Sequence, residues 1–328
     1  MTVAPIPAEW SPHRAMWVGW PSHADLWEDN LEPVQVEVEA LVRALAGPGR
    51  EHVKLLVGND EALSGARERF EGVAGVTVVP GQFGDIWLRD TGPIFGAGSA
   101  TARSFRFNGW GGKYNLPFDD TVADQIAGAA GVPLGRTDAV MEGGALDHNG
   151  EGTVLTTRQC LLNPNRNEGW SEARAETVLA ETLGATRVVW LGDGLMNDHT
   201  DGHVDNLARF VAPGVVACPL AFGSNDPNAE VYDACARDLA NAGFRVVRIP
   251  SPGLVADEDG GPIPASHMNF LIANGAVVVP TYGNETAARL AGEALAVELP
   301  DREVVLLPST AILTGGGSFH CISQQEPG

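Results

Sequence analysis

Four segments of the chain look like two apolar strands around a turn. Each has Gly or an Asn-Gly pair in its turn, and such residues readily adopt the backbone conformation that a tight hairpin needs. The pattern therefore predicts four β-hairpins, at residues 92–105, 144–157, 204–218 and 268–280.

Amphipathic stretches of helical period lie between these hairpins, and a short β-branched strand follows each of them. Three helix–strand pairs cover 171–191, 229–249 and 284–308, and two more near the start of the chain cover 34–57 and 61–80. The predicted unit is hairpin, helix and strand, and it recurs roughly every 55–65 residues, slightly above the usual repeat length of solenoids.

A fifth hairpin is missing from the interior of the chain. One strand could come from 15–21 and its partner from 318–325, which would join the two ends and close a ring of five units. Closure removes exposed sheet edges, as it does in propellers. The alternative architecture is an open doubly wound sheet, but antiparallel hairpins fit it badly.

Composition narrows the class of protein. The chain has 328 residues, 44% of them hydrophobic, and no linker divides it, so we expect one catalytic domain spanning 1–328. No apolar run reaches the length of a membrane span, and the N-terminus shows no signal-peptide pattern. Four cysteines without a C-x-x-C pair suggest reduced thiols and a cytoplasmic location.

The charge balance is strongly acidic, with 21 basic and 42 acidic residues and a net charge of −21. This balance disfavours nucleic acid and anionic membranes as partners and suits a small cationic molecule better. An excess of acid that only keeps the protein soluble would look the same. The sequence leaves a homo-oligomer open.

Charged residues lie among apolar ones at 85–93. Asp85, Arg89 and Asp90 occur there, with Trp87 between them. A buried charge is costly unless it is paired, so we expect Arg89 to form a salt bridge with one aspartate. The other carboxylate would then be free for a ligand.

Glu142 precedes two glycines at the mouth of the second hairpin, where glycine allows a ligand to approach the backbone closely. A solvated turn glutamate would show the same pattern.

Residues 192–206 are dense in Asp and His. In a strand, His203 and Asp205 would share a face, and a His beside a carboxylate is a common general acid/base pair. His199 and His203 have the spacing of a zinc-binding helix, but Thr200 replaces the expected glutamate and Gly202 weakens a helix. We therefore predict no metal site.

Three glycines lead into Ser318, Phe319, His320 and Cys321 near the end of the chain. Adjacent strand residues face opposite sides, so a distant His such as His203 is a better base for Cys321 than His320. Backbone NH groups of the glycines could lower the pKa of the thiol, although a buried, inert thiol is the alternative. A thiol, an imidazole and several carboxylates together point to a cationic electrophile such as a guanidinium.

Several motifs carry a resemblance to the agmatine deiminase family. They are P-A-E-W-S-P-H-R-A-M-W-V-G-W-P at 7–21, W-L-R-D-T-G-P at 87–93, F-N-G-W-G-G-K-Y at 107–114, E-G-G at 142–144, D-G-H-V-D-N at 201–206, N-F at 269–270 and G-G-G-x-x-H-C-I-x-Q-Q-E-P at 315–327. The resemblance covers essentially the whole chain. It implies an α/β five-bladed propeller, the pentein fold of guanidine-modifying enzymes, including peptidyl-arginine deiminases.

The resemblance also implies roles for residues. Cys321 would be the nucleophile and His203 the general acid/base. Asp90 and Asp205 would hold the guanidinium nitrogens, and Glu142 would contact the guanidinium and orient His203.

At the edge of the implied site, Trp87 would line the pocket, and Asp201 or Asp198 would receive the distal amine of the substrate. Cys321 attacks the guanidinium carbon, ammonia leaves, and water releases a ureido product from a covalent thiouronium. For agmatine the product is N-carbamoylputrescine, on the way to putrescine in polyamine biosynthesis. No metal or organic cofactor is implied.

Three positions depart from the family pattern. Ser318 stands where Asn is usual, His199 where a second Asp is usual, and His267 lies in a segment that usually has Tyr. These changes affect the far end of the substrate rather than the guanidinium chemistry. Other readings are a deiminase of free arginine or peptidyl-arginine, an amidinotransferase, a non-catalytic polyamine-binding propeller, and a metallohydrolase built on His199 and His203.

Overall fold

The computed structural model describes residues 3–328, and its strands form five small sheets, one of four strands and four of three. Met1 and Thr2, at the start of the predicted catalytic domain, lie outside the described residues. No helix within 3–328 is both long enough and apolar enough to cross a membrane.

The first sheet contains three parallel strands, and helices connect each of these strands to the next. Its elements are β1 (His13–Trp20), α1 (Ala24–Trp27), α2 (Leu31–Ala46), β2 (Val53–Val57), α3 (Asp60–Arg69) and β3 (Val76–Pro80). Helix α2 buries Val34, Val38 and Leu41 in the largest apolar cluster of the described residues, together with strand residues such as Met16 and Leu55. This is the amphipathic face that the helical period predicted.

The second and third sheets each begin with an antiparallel hairpin and end with a strand that runs parallel to the second one. The second unit comprises α4 (Leu88–Thr91), β4 (Ile94–Phe95), β5 (Ala102–Arg106), α5 (Gly109–Gly112), α6 (Val122–Ala130) and β6 (Leu134–Val140). The third unit comprises β7 (Asp147–His148), β8 (Thr153–Thr157), α7 (Arg158–Leu161), α8 (Glu172–Leu183) and β9 (Arg187–Leu191).

The fourth and fifth sheets repeat this pattern. The fourth unit comprises β10 (Arg209–Ala212), β11 (Val215–Leu220), α9 (Ala229–Asn241) and β12 (Arg245–Pro250). The fifth unit comprises β13 (Leu271–Ile272), β14 (Ala276–Thr281), α10 (Glu285–Glu298) and β15 (Glu303–Pro308), and it is followed by α11 (Thr310–Leu313) and β16 (Ser323–Pro327).

The end of the chain completes the first sheet, because β16 pairs antiparallel with β1. Met16 lies opposite Gln325 and Val18 opposite Ser323. The predicted closure of five hairpin–helix–strand units through the two termini is therefore confirmed, and an open doubly wound sheet is excluded for the described residues.

Local capping explains where the longer helices begin and end. The Ser171 hydroxyl accepts the Arg174 backbone NH at the start of α8, and Gly184 ends that helix with a φ of 67°. The Asn284 side chain accepts the Ala287 NH at the start of α10 in the same way.

Three local predictions differ from the structure. Residues 318–322 form a turn rather than the start of the last strand, since the Asn269 side chain accepts the backbone NH groups of His320 and Cys321. The hairpin predicted at 204–218 begins with the 3-10 turn Val204–Asn206. Helix α6 and strand β6 complete the second unit, where the sequence pattern had indicated only the hairpin.

Candidate active site

Five loops lead from the last strand of one sheet to the first strand of the next, and each carries buried polar or thiol side chains. In chain order these residues are Asp90 before β4, Glu142 before β7, His203 and Asp205 before β10, Asn269 before β13 and Cys321 before β16. The repeat thus places residues that are far apart in sequence at equivalent positions around one centre.

The Cys321 thiol lies between an amide and a carboxylate. Asn269 donates its Nδ2 to the sulfur at 3.1 Å, and Asp205 Oδ2 lies 3.6 Å from it. Burial raises the pKa of Cys321 well above its ordinary value, and the negative charges of Asp205 and Asp90 raise it further. The thiol is therefore protonated until a cation offsets these carboxylates.

His203 lies between two carboxylates. Its Nδ1 is 3.8 Å from Asp90 Oδ1, and its Nε2 is 3.8 Å from Glu142 Oε2. Burial opposes a charged imidazole, but Asp90, Cys160 and Glu142 outweigh it and raise the pKa of His203 well above its ordinary value. His203 can therefore hold a proton for a leaving group.

Both carboxylates are held by donors on other loops. Asp90 accepts the Trp110 Nε1 and the Gly144 NH, each at 2.9 Å, and Glu142 accepts Arg166 Nε at 2.7 Å. Burial raises the pKa of Asp90 to about 6, although the charge on His203 works against this. For Glu142, burial is outweighed by His203 and Arg166, so its pKa lies below the ordinary value.

A cavity of about 280 Å³ opens onto Cys321 and Asp90. Its walls include the rings of Trp27, Trp87 and Trp110 and the backbone of the glycines at 315–317. A Cβ at 315 or 317 would lie within 3.0 Å of a tryptophan ring, so these glycines let the aromatic wall pack against the loop that holds Cys321.

Comparison with known proteins identifies the family. The sequence pattern of the Porphyromonas-type peptidyl-arginine deiminase family matches residues 5–327. The chain belongs to this family. It is also 37% identical to the agmatine deiminase of Stutzerimonas stutzeri, over 98% of this chain and 95% of that protein. The resemblance inferred from the motifs is thereby confirmed.

Solved structures of family members share the fold. The agmatine deiminase of Enterococcus faecalis superposes with a TM-score of 0.90 at 32% identity, over 98% of this chain and 95% of that one. A C. jejuni agmatine deiminase with substrate bound gives 0.89 at 27% identity, over 98% and 96% of the two chains. As a member of this family, the protein is a hydrolase that acts on the C–N bonds of guanidines.

The structure corrects the expected pairing of Arg89. Its guanidinium donates to Gln325 Oε1 at 2.6 Å and to the His320 carbonyl at 3.3 Å, and within residues 3–328 it forms no salt bridge. Asp85 instead accepts the indole NH groups of Trp27 at 3.1 Å and Trp87 at 2.6 Å. Its burial raises its pKa to about 7.

Two further points concern the loops before β10 and β16. Residues 199–203 are not helical, so the helical spacing of His199 and His203, on which the zinc alternative depended, is absent. The NH groups of Gly315 and Gly316 donate to the carbonyls of Ile312 and Leu313, and the pKa of Cys321 is raised rather than lowered.

Asp201 and Asp198 do not line the cavity. Asp201 forms salt bridges with Lys113, at 2.6 Å, and with Arg166, while Asp198 accepts the backbone NH and hydroxyl of Thr200. Both carboxylates are occupied by protein donors, so the structure gives neither a place at the distal amine of a substrate.

Of the three departures from the family pattern, only His199 lines the cavity, where its ring stacks on Tyr114. His267 donates its Nδ1 hydrogen to the Pro250 carbonyl, 2.7 Å away, and the hydroxyls of Ser318 and Ser309 share a hydrogen bond of 2.6 Å.

The sequence analysis assigned no role to four residues that contact the site, namely Trp110, Cys160, Arg166 and Asn269. It considered His320 only as a base for Cys321, whereas His320 Nδ1 lies 2.8 Å from Asp205 Oδ2. Trp110 and Asn269 lie in the family motifs at 107–114 and 269–270, which could have indicated a role for them. For Cys160 and Arg166 the sequence offered none, because nothing in a local pattern shows which loop packs behind His203.

Proposed function

We propose that this protein hydrolyses agmatine to N-carbamoylputrescine and ammonia through a covalent thiouronium on Cys321. The observation that carries the proposal is the convergence at Gly144. A Cβ there would lie 2.6 Å from His203 Nδ1, 2.8 Å from Asp90 Oδ1 and 3.1 Å from Asp205 Oδ2. One imidazole and two carboxylates thus converge beside the thiol, an arrangement that suits a cationic, planar guanidinium.

Asp90 and Asp205 hold the guanidinium nitrogens in this proposal. Asp205 Oδ1 is buried and has no hydrogen-bond partner among the described residues, so it is free to accept from a ligand. Its other oxygen lies 3.6 Å from the thiol, which brings the guanidinium carbon next to the sulfur.

Binding of the cation also activates the nucleophile. Asp205 and Asp90 raise the pKa of the Cys321 thiol, so a guanidinium that neutralises them lowers it again. The thiol proton leaves to solvent and the thiolate attacks the guanidinium carbon. The bond from sulfur to carbon forms as the C=N π electrons move to nitrogen, giving a tetrahedral adduct.

His203 then acts twice. It first gives its proton to the departing nitrogen, the C–N bond breaks, and ammonia leaves the thiouronium. The neutral imidazole next takes a proton from water, whose oxygen attacks the same carbon. The C–S bond breaks, and the ureido product leaves Cys321. The Glu142 carboxylate, 3.8 Å from Nε2, holds the charged imidazole in place by electrostatic attraction.

The cavity favours agmatine over free arginine. None of the described residues that line it is Lys or Arg, so nothing there pairs with the α-carboxylate of arginine. Lys113, in the motif at 107–114, is bound to Asp201 at 2.6 Å. Aromatic walls and the acidic surface suit a substrate with a positive charge at both ends.

The test measures ammonia release from agmatine, arginine and a blocked peptidyl-arginine, with wild type, Cys321→Ala and Cys235→Ala. Cys235 is a buried thiol of α9 in a separate apolar cluster and serves as the matched control. We expect agmatine turnover that is lost in Cys321→Ala and kept in Cys235→Ala.

Three other outcomes would redirect the proposal. Turnover of arginine or the peptide in place of agmatine would keep the chemistry and change the substrate. A new guanidine formed when an acceptor amine is added would indicate an amidinotransferase. Equal activity of wild type and Cys321→Ala would favour a non-catalytic polyamine-binding protein. We also propose a cytoplasmic location, which the four free thiols support.

A further inference from the structure

A second thiol lies against the catalytic imidazole. Cys160 is in α7, where the Thr157 hydroxyl accepts its backbone NH at 3.2 Å, and its side chain is fully buried. One donor atom from each of Cys160, His203 and Glu142 lies within 4.8 Å of the other two. The reaction described above uses no group at Cys160.

Two of these donors lack a partner. His203 Nε2 and Glu142 Oε2 are buried and make no hydrogen bond among residues 3–328, although they lie 3.8 Å apart. The other oxygen of Glu142 is held by Arg166. Buried polar atoms without partners are uncommon, and here both belong to the trio that Cys160 completes.

The spacing suits a metal ion. Zinc binds thiolate, imidazole and carboxylate at about 2.0 to 2.3 Å, so donors at the corners of a tetrahedron lie roughly 3.3 to 3.8 Å apart. The 3.8 Å between His203 Nε2 and Glu142 Oε2 already falls in this range. Cys160 supplies the third donor, since its sulfur lies within 4.8 Å of a donor atom on each of the other two residues.

Charge also permits a cation here. Arg166 is positive and adjacent, but Glu142, Asp90 and a deprotonated Cys160 together outweigh it. Thiolate and imidazole ligands select zinc-like ions over magnesium or calcium. Binding releases the Cys160 proton and one proton of the charged His203 imidazole to solvent, and it involves no redox change.

We propose that Glu142, Cys160 and His203 form an inhibitory site for a thiophilic divalent cation such as Zn²⁺. The bound ion occupies His203 Nε2 and the free oxygen of Glu142, so the imidazole can no longer exchange protons with the reaction. The effect on turnover rests on the proposed function, whereas the binding of the ion does not.

The test adds Zn²⁺ and, separately, Co²⁺ to protein freed of metal by a chelator. Calorimetry measures Zn²⁺ binding, and the thiolate-to-cobalt charge-transfer absorption reports a sulfur ligand. Three variants identify which thiol binds the ion. They are Cys160→Ala, Cys321→Ala and the control Cys235→Ala. We expect one ion per chain in wild type, Cys321→Ala and Cys235→Ala, and at least about tenfold weaker binding without the charge-transfer band in Cys160→Ala.

If the charge-transfer band is lost in Cys321→Ala and kept in Cys160→Ala, the ion binds at the nucleophile and the proposal is wrong. Absence of ion binding to wild type would also overturn the proposal. Circular dichroism checks the folding of Cys160→Ala, and Glu142→Gln replaces it if it is misfolded, with weakened binding expected. Inhibition of agmatine turnover by Zn²⁺ should likewise require about tenfold more ion in Cys160→Ala, relative to the metal-free rate of that variant. Since binding is read without substrate, failure of the proposed function leaves this result intact.

Discussion

Gly144 is the residue whose size matters most to the site. Its backbone NH donates to Asp90, and the absence of a side chain lets His203, Asp90 and Asp205 approach its backbone closely. Its φ is not in the left-handed region, so the backbone itself would accept alanine. In Gly144→Ala the added methyl group would lie within 3.0 Å of His203 Nδ1 and Asp90 Oδ1, so at least one of these side chains would have to move.

We expect Gly144→Ala to lower kcat/KM for agmatine by at least about 100-fold, because misplacement by about 1 Å of groups at a reacting centre costs that much. Steady-state kinetics and urea unfolding measure activity and stability side by side. The control is Gly128→Ala in α6, where a Cβ meets open space; it should keep full activity and gain up to about 1 kcal/mol of stability. Near-normal activity of Gly144→Ala would contradict the proposed roles of His203 and Asp90 in the reaction.

Single residues also show what the sequence could and could not reveal about the site. The glycines after Glu142 and the crowded acids around His203 are local signals, and they pointed to residues that the structure brings together. The sequence wrongly suggested Asp201 as a partner for the distal amine of the substrate, because its actual partners, Lys113 and Arg166, come from other loops. Cys160 gave no signal, because its proximity to His203 depends on how α7 packs rather than on its neighbours in sequence.

At the scale of elements, the spacing of hydrophobic residues and the turn residues between segments predicted four hairpins and five helix–strand pairs. The structure contains them. The last strand was placed too early, because the turn at 318–322 is fixed by Asn269 from another unit rather than by a local turn signal. Helix α6 escaped detection, since it is short and rich in alanine and glycine and carries few polar residues to mark an outer face.

The pairing of β16 with β1 depends on a buried acid. Glu326 of β16 accepts Trp17 Nε1 at 2.9 Å and Lys54 Nζ at 2.7 Å and also pairs with Arg14. Burial opposes its ionisation, but the hydrogen bonds from Lys54 and Arg14 outweigh it and hold the pKa of Glu326 below its ordinary value. This contribution to stability is therefore present above the unfolded-state pKa and is lost as the pH falls below it.

We expect Glu326→Ala to lower the free energy of unfolding by about 3 kcal/mol at neutral pH, because it leaves Lys54 and the Trp17 NH without their acceptor. Urea unfolding gives this value. Arg289→Ala, which breaks an exposed pair with Glu293 on α10, should change stability by no more than about 0.5 kcal/mol. A loss below about 1 kcal/mol in Glu326→Ala would mean that apolar packing alone holds β16 in place.

At the scale of the whole molecule, pairing of the last strand with the first closes the five units and brings their loops together at one site. Each unit delivers one loop to the centre, and joining the termini brings Cys321 at the end of the chain to Asp90, Glu142 and His203 from earlier units. A pattern of hairpins predicts that such loops exist. It does not predict which side chains on them meet, because that depends on the geometry of the ring.

The net charge of −21 is also a property of the whole molecule. Its effect on the rate of substrate capture can be measured. Agmatine carries two positive charges at neutral pH, so an acidic surface raises its rate of encounter with the cavity. Raising the salt from about 10 mM to about 150 mM shortens the screening length from about 30 Å to about 8 Å. We expect kcat/KM for agmatine to fall about threefold to tenfold over this range while kcat stays constant, since salt affects capture and not the buried chemistry. Steady-state kinetics at matched pH measures both constants. A kcat/KM that is unchanged by salt would instead assign the acidic surface to solubility alone.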